Sequence, residues 1–122
     1  MDLVELSRGD CFTICALADS GAEESLVEQF LASLPKPARR KLFGLIERVA
    51  AYGLPFNPEK SRALKGSGGI FEFKSKPYRI FYFFSGERRL VLTHGFTKYT
   101  DRTPPEEIER ALRLRERFLA ER

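Results

Sequence analysis

The segment Ile70–Tyr99 decides the fold, and it reads IFEFKSKPYRIFYFFSGERRLVLTHGFTKY. It contains three runs rich in aromatic and branched aliphatic residues, and the short sequences SKP at 75–77 and SGE at 85–87 separate them. Runs of this composition divided by turn-forming residues are typical of consecutive antiparallel strands. The sequence therefore predicts a three-stranded meander.

The register of the first hairpin determines which residues share a face, because a shift of one residue moves every side chain to the opposite face. A four-residue loop, Ser75–Tyr78, places Lys74 opposite Arg79 and Glu72 opposite Phe81. A three-residue loop would leave Lys74 or Arg79 beneath the helices, where an unpaired charge is costly, so we prefer the four-residue loop. One face of the sheet is then almost wholly apolar and needs a covering helix. It carries Phe71, Phe73, Ile80, Tyr82 and Phe84.

The opposite face combines charged and aromatic side chains. Glu72, Lys74 and Arg79 share it with Phe81 and Phe83, and we expect Arg79 to face solvent. Lysine and arginine among aromatic rings can bind phosphates and stack on bases. The same charges can also form an ordinary cross-strand ladder on a solvated face. The pattern alone leaves both interpretations open.

Length and composition limit the class of protein. The chain has 122 residues, of which 43% are hydrophobic, so we expect one domain over residues 1–122. There are 21 Lys and Arg against 17 Asp and Glu, and the first 30 residues hold one arginine and no lysine. This uneven charge indicates a polyanionic partner that meets the later part of the chain.

Residues that bind metals or nucleotides are scarce. Cys11 and Cys15 would share one face of a strand, too far apart for an easy disulfide, and His94 is the single histidine. The glycine-rich sequence LKGSGG at 64–69 lacks the residue order of a nucleotide-binding P-loop. We therefore expect reduced thiols, no metal and no cofactor. Without a signal peptide or a long apolar run, we expect a soluble, cytoplasmic protein with no membrane contact.

Caps and periodicity predict the elements before the meander. Cys11–Leu17 is a short apolar run that we predict to be a strand added at the edge of the meander. The capping-box pattern Ser20–Glu23 predicts the start of a helix. Residues 35–37, PKP, separate this helix from a second one that ends near Gly53. The segment Leu54–Gly69 is predicted to be a loop.

A third helix is predicted after the meander. Thr103–Glu106 has the capping-box pattern with prolines in the first turn, and the helix should end near Ala120. Arg115 falls within its apolar stripe, where it either extends past the apolar edge or points at the charged face of the sheet. The expected fold is α+β: an N-terminal strand and a helical hairpin packed on an antiparallel sheet, with a C-terminal helix.

Five short motifs follow one another in the second half of the chain. They are LKG at 64–66, GIFEFK at 69–74, YRIFY at 78–82, LTHGFTK at 92–98 and TPPEEIERA at 103–111. In this order and spacing they resemble the RelE/HigB superfamily of toxins, in particular its phage-derived HigB-type branch. The resemblance covers the second half of the chain closely and the helical hairpin loosely.

The resemblance implies the toxin of a type II toxin–antitoxin system with a RelE/ParE-like fold. Such a toxin is a ribosome-dependent endoribonuclease that cuts mRNA in the ribosomal A site. The 2′-hydroxyl of the RNA attacks the adjacent phosphate, with no metal and no cofactor. The implied partner is a small helix-turn-helix antitoxin.

The resemblance also assigns roles to individual residues. Arg79 matches the arginine of the family's Y-R motif and would grip the scissile phosphate, because the guanidinium fork matches phosphate oxygens. Lys74 stands where the family usually has arginine, so it can neutralise charge without a bidentate contact. Lys65 and Lys98 match family lysines that contact RNA. Tyr99 replaces a family lysine and could stack on a base or donate a proton.

Proton transfer has two further candidates. His94 has a suitable intrinsic pKa, yet on a central strand it could equally be a hydrogen-bonded structural residue. Glu72 could act as a base or as a salt-bridge partner of Lys74 or Arg79. The candidates are thus Arg79, Lys74, Lys98 and His94 for catalysis, and Lys65, Tyr99, Glu72 and Arg115 for RNA binding.

Two alternatives stay open at the level of sequence. A ParE-like toxin has the same architecture but inhibits gyrase by binding and cuts no RNA. In that case Lys74, Arg79 and Lys98 would be dispensable. A noncatalytic RNA-binding phage accessory protein would instead depend on stacking against Phe81, Phe83 and Tyr99.

Overall fold

The computed structural model describes residues 1–55, 57 and 59–121 of the chain. Within these residues, helices cover both faces of one sheet, and the predicted α+β class is confirmed. The strands are β1 (Asp2–Arg8), β2 (Thr13–Ala18), β3 (Ser61–Ala63), β4 (Phe71–Ser75), β5 (Tyr78–Phe84) and β6 (Arg89–Thr97). The helices are α1 (Leu26–Ala32), α2 (Lys36–Tyr52) and α3 (Pro105–Ala120).

The predicted meander consists of β4, β5 and β6, each antiparallel to the next. Lys74 lies opposite Arg79 and Glu72 opposite Phe81, as the preferred register requires. Ser75 also pairs with Tyr78, so the turn itself is only the two residues at 76 and 77. The tighter turn keeps the same parity, and every side chain of the hairpin therefore stays on its predicted face.

Two strands extend the sheet beyond the prediction. The sheet order is β1-β2-β6-β5-β4-β3. The strand predicted at Cys11–Leu17 begins at Thr13 and pairs with β6, so it is added at the edge of the meander as predicted, and it runs parallel to β6. Because β1 pairs with its other side, it lies inside the complete sheet. The segment Leu54–Gly69, expected to be a loop, contains β3, which pairs with residues Phe71–Phe73. A strand of three residues is too short to leave a periodic signal.

The first helix begins later than predicted. Its N-cap is Ser25, whose Oγ accepts a hydrogen bond from the Glu28 amide at 3.0 Å, while the Ser25 amide donates to Glu28 Oε1 at 2.9 Å. The Ser-x-x-Glu pattern thus occurs twice, and the prediction at Ser20–Glu23 is wrong. The second copy lies directly before the apolar stripe that packs on the sheet, and this packing selects it.

The other helix boundaries agree better with the sequence. Helix α2 has Pro37 in its first turn and ends at Gly53, which adopts φ of +94°. Helix α3 ends at Ala120 as predicted, but its N-cap is Pro104 and no side chain caps it. The capping box predicted at Thr103–Glu106 is therefore wrong. Instead, the negative charges of Glu106 and Glu107 in the first turn stabilise the helix by interacting with the positive end of its dipole.

Each face of the sheet has its own core. The face predicted to be apolar packs Phe73, Ile80 and Tyr82 against α1 and α2, although Phe84 is 43% exposed. On the opposite face, Phe81 packs against α3. The buried residues of this second core are Leu17, Ile70, Phe81, Phe83, Val91, Phe96, Ala111, Leu114 and Phe118. Helix α3 therefore covers much of the face that carries Glu72, Lys74 and Arg79.

Gly95 allows a close contact between α1 and β6. A Cβ atom at this position would lie 2.2 Å from Cδ2 of Phe30, which packs against the core from α1. Any larger residue would displace the ring. Gly95 thus fixes how the helical hairpin sits on the meander.

No helix within the described ranges combines the length and apolarity needed to span a bilayer. Cys15 is buried and Cys11 is partly buried, and both are free thiols.

Candidate functional site

A cleft of about 380 Å³ opens where the β4–β5 turn meets the segment after β6, and we call it the basic cleft. Strand pairing places Lys74 opposite Arg79, and the Lys98 amide donates to the Pro77 carbonyl at 2.8 Å. These contacts bring basic residues from three separate segments together. The basic cleft is lined by Arg62, Lys74, Lys76, Pro77, Arg79, Lys98, Tyr99, Thr100 and Asp101.

A buried carboxylate lies beneath two guanidinium groups of the cleft. Glu72 has no accessible surface. Its Oε2 accepts a hydrogen bond from Arg62 Nε at 3.1 Å, and its Oε1 lies 2.9 Å from Arg79 Nε. The second contact is an ion pair whose geometry does not suit a hydrogen bond. Glu72 is thus a salt-bridge partner of Arg79, one of the two interpretations that the sequence left open.

The expectation that Arg79 faces open solvent is wrong. Its accessible surface is 5%, and that of Lys74 is 9%. The reason lies in the sheet order, because β5 has β4 on one side and β6 on the other, so neighbouring side chains flank Arg79. A buried guanidinium requires a partner, and Glu72 supplies it, while Arg79 Nη1 also donates to the Tyr78 carbonyl at 3.0 Å.

The clustered positive charge changes the chemistry of Lys98. Partial burial lowers the pKa of this ammonium, and repulsion from Arg79, Arg62 and Lys74 lowers it further, against an opposing effect of Glu72. An ammonium whose pKa is lowered releases its proton more readily than an ordinary lysine. The lowered pKa moves Lys98 toward the range in which a side chain can take part in proton transfer.

Tyr99 stands at the rim of the cleft. Its side chain is 89% exposed, and it lines the cleft beside Thr100 and Asp101. An exposed aromatic ring next to cations is a stacking surface for a nucleic-acid base. The position is compatible with the predicted RNA-binding role of Tyr99.

His94 lies outside the lining of the cleft and is 1% exposed. Its Nδ1 is 3.2 Å from Thr93 Oγ1, and its Nε2 is 3.1 Å from Glu107 Oε1 on α3. Burial lowers the pKa of His94 to about 4, with a contribution from the charge of Arg110. This geometry favours the structural interpretation of His94, as a link between β6 and α3.

Lys65 and Arg115 also lie apart from the basic cleft. Arg115 Nη1 donates to the Gly68 carbonyl at 2.7 Å, so its guanidinium holds the glycine-rich turn before β4. The suggestion that Arg115 points at the charged face is therefore wrong. Lys65 is exposed in the same turn and is absent from the described lining of the cleft.

Two basic residues of the cleft, Arg62 and Lys76, were missed by sequence reasoning. Arg62 was missed because β3 was predicted to be a loop. The signal for it is charge complementarity: an antiparallel return through the glycine-rich turn sets Arg62 opposite Glu72. Lys76 was treated only as part of a turn.

A match to a family of known proteins includes every residue that lines the basic cleft. The family model described as "Phage derived protein Gp49-like (DUF891)" matches residues 29–116. A protein of Aquifex aeolicus (strain VF5) that bears the name "Uncharacterized protein" is 32% identical over 83 residues. That alignment includes 63% of this chain and 61% of the relative, so the chain spans less than two thirds of the relative's length.

Proposed function

Because the chain belongs to the phage-derived Gp49-like family, which is associated with toxin–antitoxin systems, we propose that it is a toxin whose basic cleft cleaves mRNA. The observation that carries the proposal is the cleft itself. Five basic side chains line the cleft, two of them contact the buried carboxylate of Glu72, and an exposed tyrosine stands at the rim. This combination suits a phosphate group and an adjacent base.

The electrostatics of the cleft match a phosphodiester substrate. Its lining contains five cations against the single acidic residue Asp101, and Glu72 below is shared by Arg62 and Arg79. Fixed cations stabilise the charge that develops on phosphate oxygens in the transition state, and they do so best where water is largely excluded. We assign Arg79 and Lys74, both largely buried, to this role.

In the proposed reaction, the 2′-oxygen of the RNA attacks the adjacent phosphorus while the bond from phosphorus to the 5′-oxygen breaks. The products are a 2′,3′-cyclic phosphate and a 5′-hydroxyl. Water accepts the proton that leaves the 2′-hydroxyl, and one proton is added to the departing 5′-oxygen, so the reaction consumes no net proton. Holding the attacking oxygen in line with phosphorus supplies a large part of the rate acceleration.

We propose that Lys98 donates the proton to the 5′-oxygen, because its pKa is lowered and it lies in the cleft. Both oxygens of Glu72 face guanidinium groups, so we assign Glu72 to positioning Arg62 and Arg79 and not to proton abstraction. Tyr99 is assigned to base stacking at the rim. His94 is assigned a structural role.

The proposed setting follows the resemblance to the HigB-type branch. The substrate is mRNA in the ribosomal A site, in the cytoplasm, and the partner is a helix-turn-helix antitoxin. We propose that the antitoxin inhibits by covering the basic cleft or by blocking entry to the ribosome. The support for this setting is family membership together with the exposed rim of the cleft.

The test is primer extension on a defined mRNA, with and without translating ribosomes. Wild-type protein should produce cuts that require ribosomes, and Lys98→Ala should lower the cleavage rate by about 10²-fold or more, because a general acid contributes at least this much. Arg113→Ala is the matched control, since Arg113 is exposed on α3 outside the cleft. It should cleave like wild type.

The mRNA experiment can also contradict the proposal. A folded wild-type protein that makes no cuts under either condition rules out the nuclease and leaves gyrase binding or an accessory RNA-binding role. If Lys98→Ala cleaves as fast as wild type, only the role of Lys98 as proton donor is rejected, and the proposed nuclease activity still stands.

A further inference from the structure

A second cleft adjoins the basic cleft at the edge of the sheet. It has a volume of about 340 Å³ and shares Lys74 and Lys76 with the basic cleft. It adds Lys41 from α2 and Lys60 from the residues just before β3. Its acidic residue, Glu59, is already paired with Lys76, at 3.4 Å between Oε2 and Nζ. Positive charge therefore continues past the β4–β5 turn.

A third cleft of about 590 Å³ continues the series along α2. It shares Lys41 and Lys60 with the second cleft, and it adds Arg40, Arg48 and Tyr52. No Asp or Glu occurs in the lining that the described residues provide. Because neighbouring clefts share their walls, we call the three together the basic trough.

The two ends of the basic trough carry exposed aromatic rings. Tyr99 is 89% exposed at one end and Tyr52 is 83% exposed at the other. Within the described chain, they are the two most exposed large hydrophobic side chains. Exposed rings interspersed with cations are typical of proteins that bind single-stranded nucleic acid, since the cations track the backbone and the rings stack on bases.

We propose that the basic trough binds an extended single strand of RNA that continues from the scissile phosphate toward Tyr52. The strand leaves the basic cleft past Lys74 and Lys76 and then follows Lys60 and Lys41. A single strand is required because the path turns around the edge of the sheet, and a duplex is too stiff for such a turn. The inference rests on the proposed function in that the basic cleft holds the scissile phosphate.

The test compares Lys41→Ala/Lys60→Ala with wild type for binding to 2′-O-methyl RNA, which the protein cannot cleave by internal attack. Oligonucleotides of about three and about twelve nucleotides distinguish the cleft from the whole trough. Both lysines are exposed, so the variant should fold. The control, Lys36→Ala/Arg113→Ala, removes two exposed charges outside the trough.

The longer RNA should bind more tightly than the shorter one to wild-type protein. Loss of two phosphate contacts should reduce the slope of log affinity against log salt by about 1.4, and the affinity for the longer RNA by roughly tenfold near physiological salt. The variant should bind the shorter RNA unchanged. The control variant should match wild type with both RNAs.

Three results would overturn the trough. The first is equal affinity of wild type for the two lengths, and the second is an unchanged salt slope in the Lys41/Lys60 variant. The third is unchanged binding of the Lys41/Lys60 variant to both RNAs together with weakened binding to ribosomes that carry no mRNA. This result would assign the two lysines to ribosomal RNA. Failure of the proposed nuclease activity would give a different result. Wild type would then bind the longer RNA more tightly than the shorter one and still cut no mRNA.

Discussion

At the scale of single residues, the charge of the basic cleft depends on Glu72. The carboxylate is fully buried and lies within 3.1 Å of the guanidinium nitrogens of Arg62 and Arg79. Burial of an unpaired charge is costly, whereas attraction to a well-placed partner of opposite charge offsets the cost of removing the charge from water. Glu72 therefore keeps two cations in place that would otherwise repel each other, and it makes burial of Arg79 possible.

We expect Glu72→Gln to lower the free energy of unfolding by about 3 kcal/mol, because it leaves the buried Arg79 without its counter-ion. Urea unfolding followed by circular dichroism measures this change. The matched control is Glu59→Gln, which breaks the exposed pair with Lys76 and should leave the free energy of unfolding nearly unchanged. If Glu72→Gln were as stable as Glu59→Gln, the pairing would not support the fold.

At the scale of elements, His94 connects the sheet to α3. Its Nε2 contacts Glu107 in the first turn of the helix, and its ring lies edge-on to Phe81, with 5.7 Å between centroids. This contact joins β6 to the helix that covers the second face. The strand that His94 joins to α3 leads directly to Lys98 of the cleft, although His94 itself lies outside the cleft.

The low pKa of His94 makes this contact sensitive to acid. Burial and Arg110 lower its pKa from 6.5 to about 4, so the folded protein holds the neutral ring while the unfolded chain binds a proton below pH 6.5. Stability from the neutral ring is complete above pH 6.5 and falls as pH drops toward 4. From about pH 7 to about pH 4.5, wild type should lose about 2 to 3 kcal/mol more than His94→Gln.

Urea unfolding of the two proteins at both pH values measures the difference. Other titrating groups are common to both proteins, so the comparison isolates His94 and its partner Glu107, whose own pKa is raised chiefly by burial. The same pH dependence in wild type and in His94→Gln would show that the buried ring does not control acid stability.

The sequence is most informative about the meander. Aromatic runs give the strands, and the cost of burying Lys74 or Arg79 without a partner gives the register, which the structure confirms. Burial of Arg79 does not follow from the register, because it depends on the ion pair with Glu72 and on how closely side chains of the neighbouring strands pack around the guanidinium. The position of Arg62 is not predictable from the sequence either, because its short strand β3 is defined by its pairing with β4.

At the scale of the whole molecule, nine of the 21 lysines and arginines line the basic trough in the described part of the chain. The described lining of the trough takes its cations from α2, the segment before β3, β3 itself, the meander and the residue after β6. All of them come after Lys36, in agreement with the uneven charge of the sequence. Strands β1 and β2 support the meander from its other side. This arrangement leaves one continuous surface for a polyanion.

The most direct test of the central claim uses an mRNA with one 2′-deoxynucleotide on the 5′ side of a mapped cut. The proposed chemistry requires the 2′-oxygen as nucleophile, so the cut at that bond should disappear while cuts elsewhere persist and end in 2′,3′-cyclic phosphates. Continued cleavage at the substituted position, or products with 5′-phosphate ends, would contradict internal attack in the basic cleft.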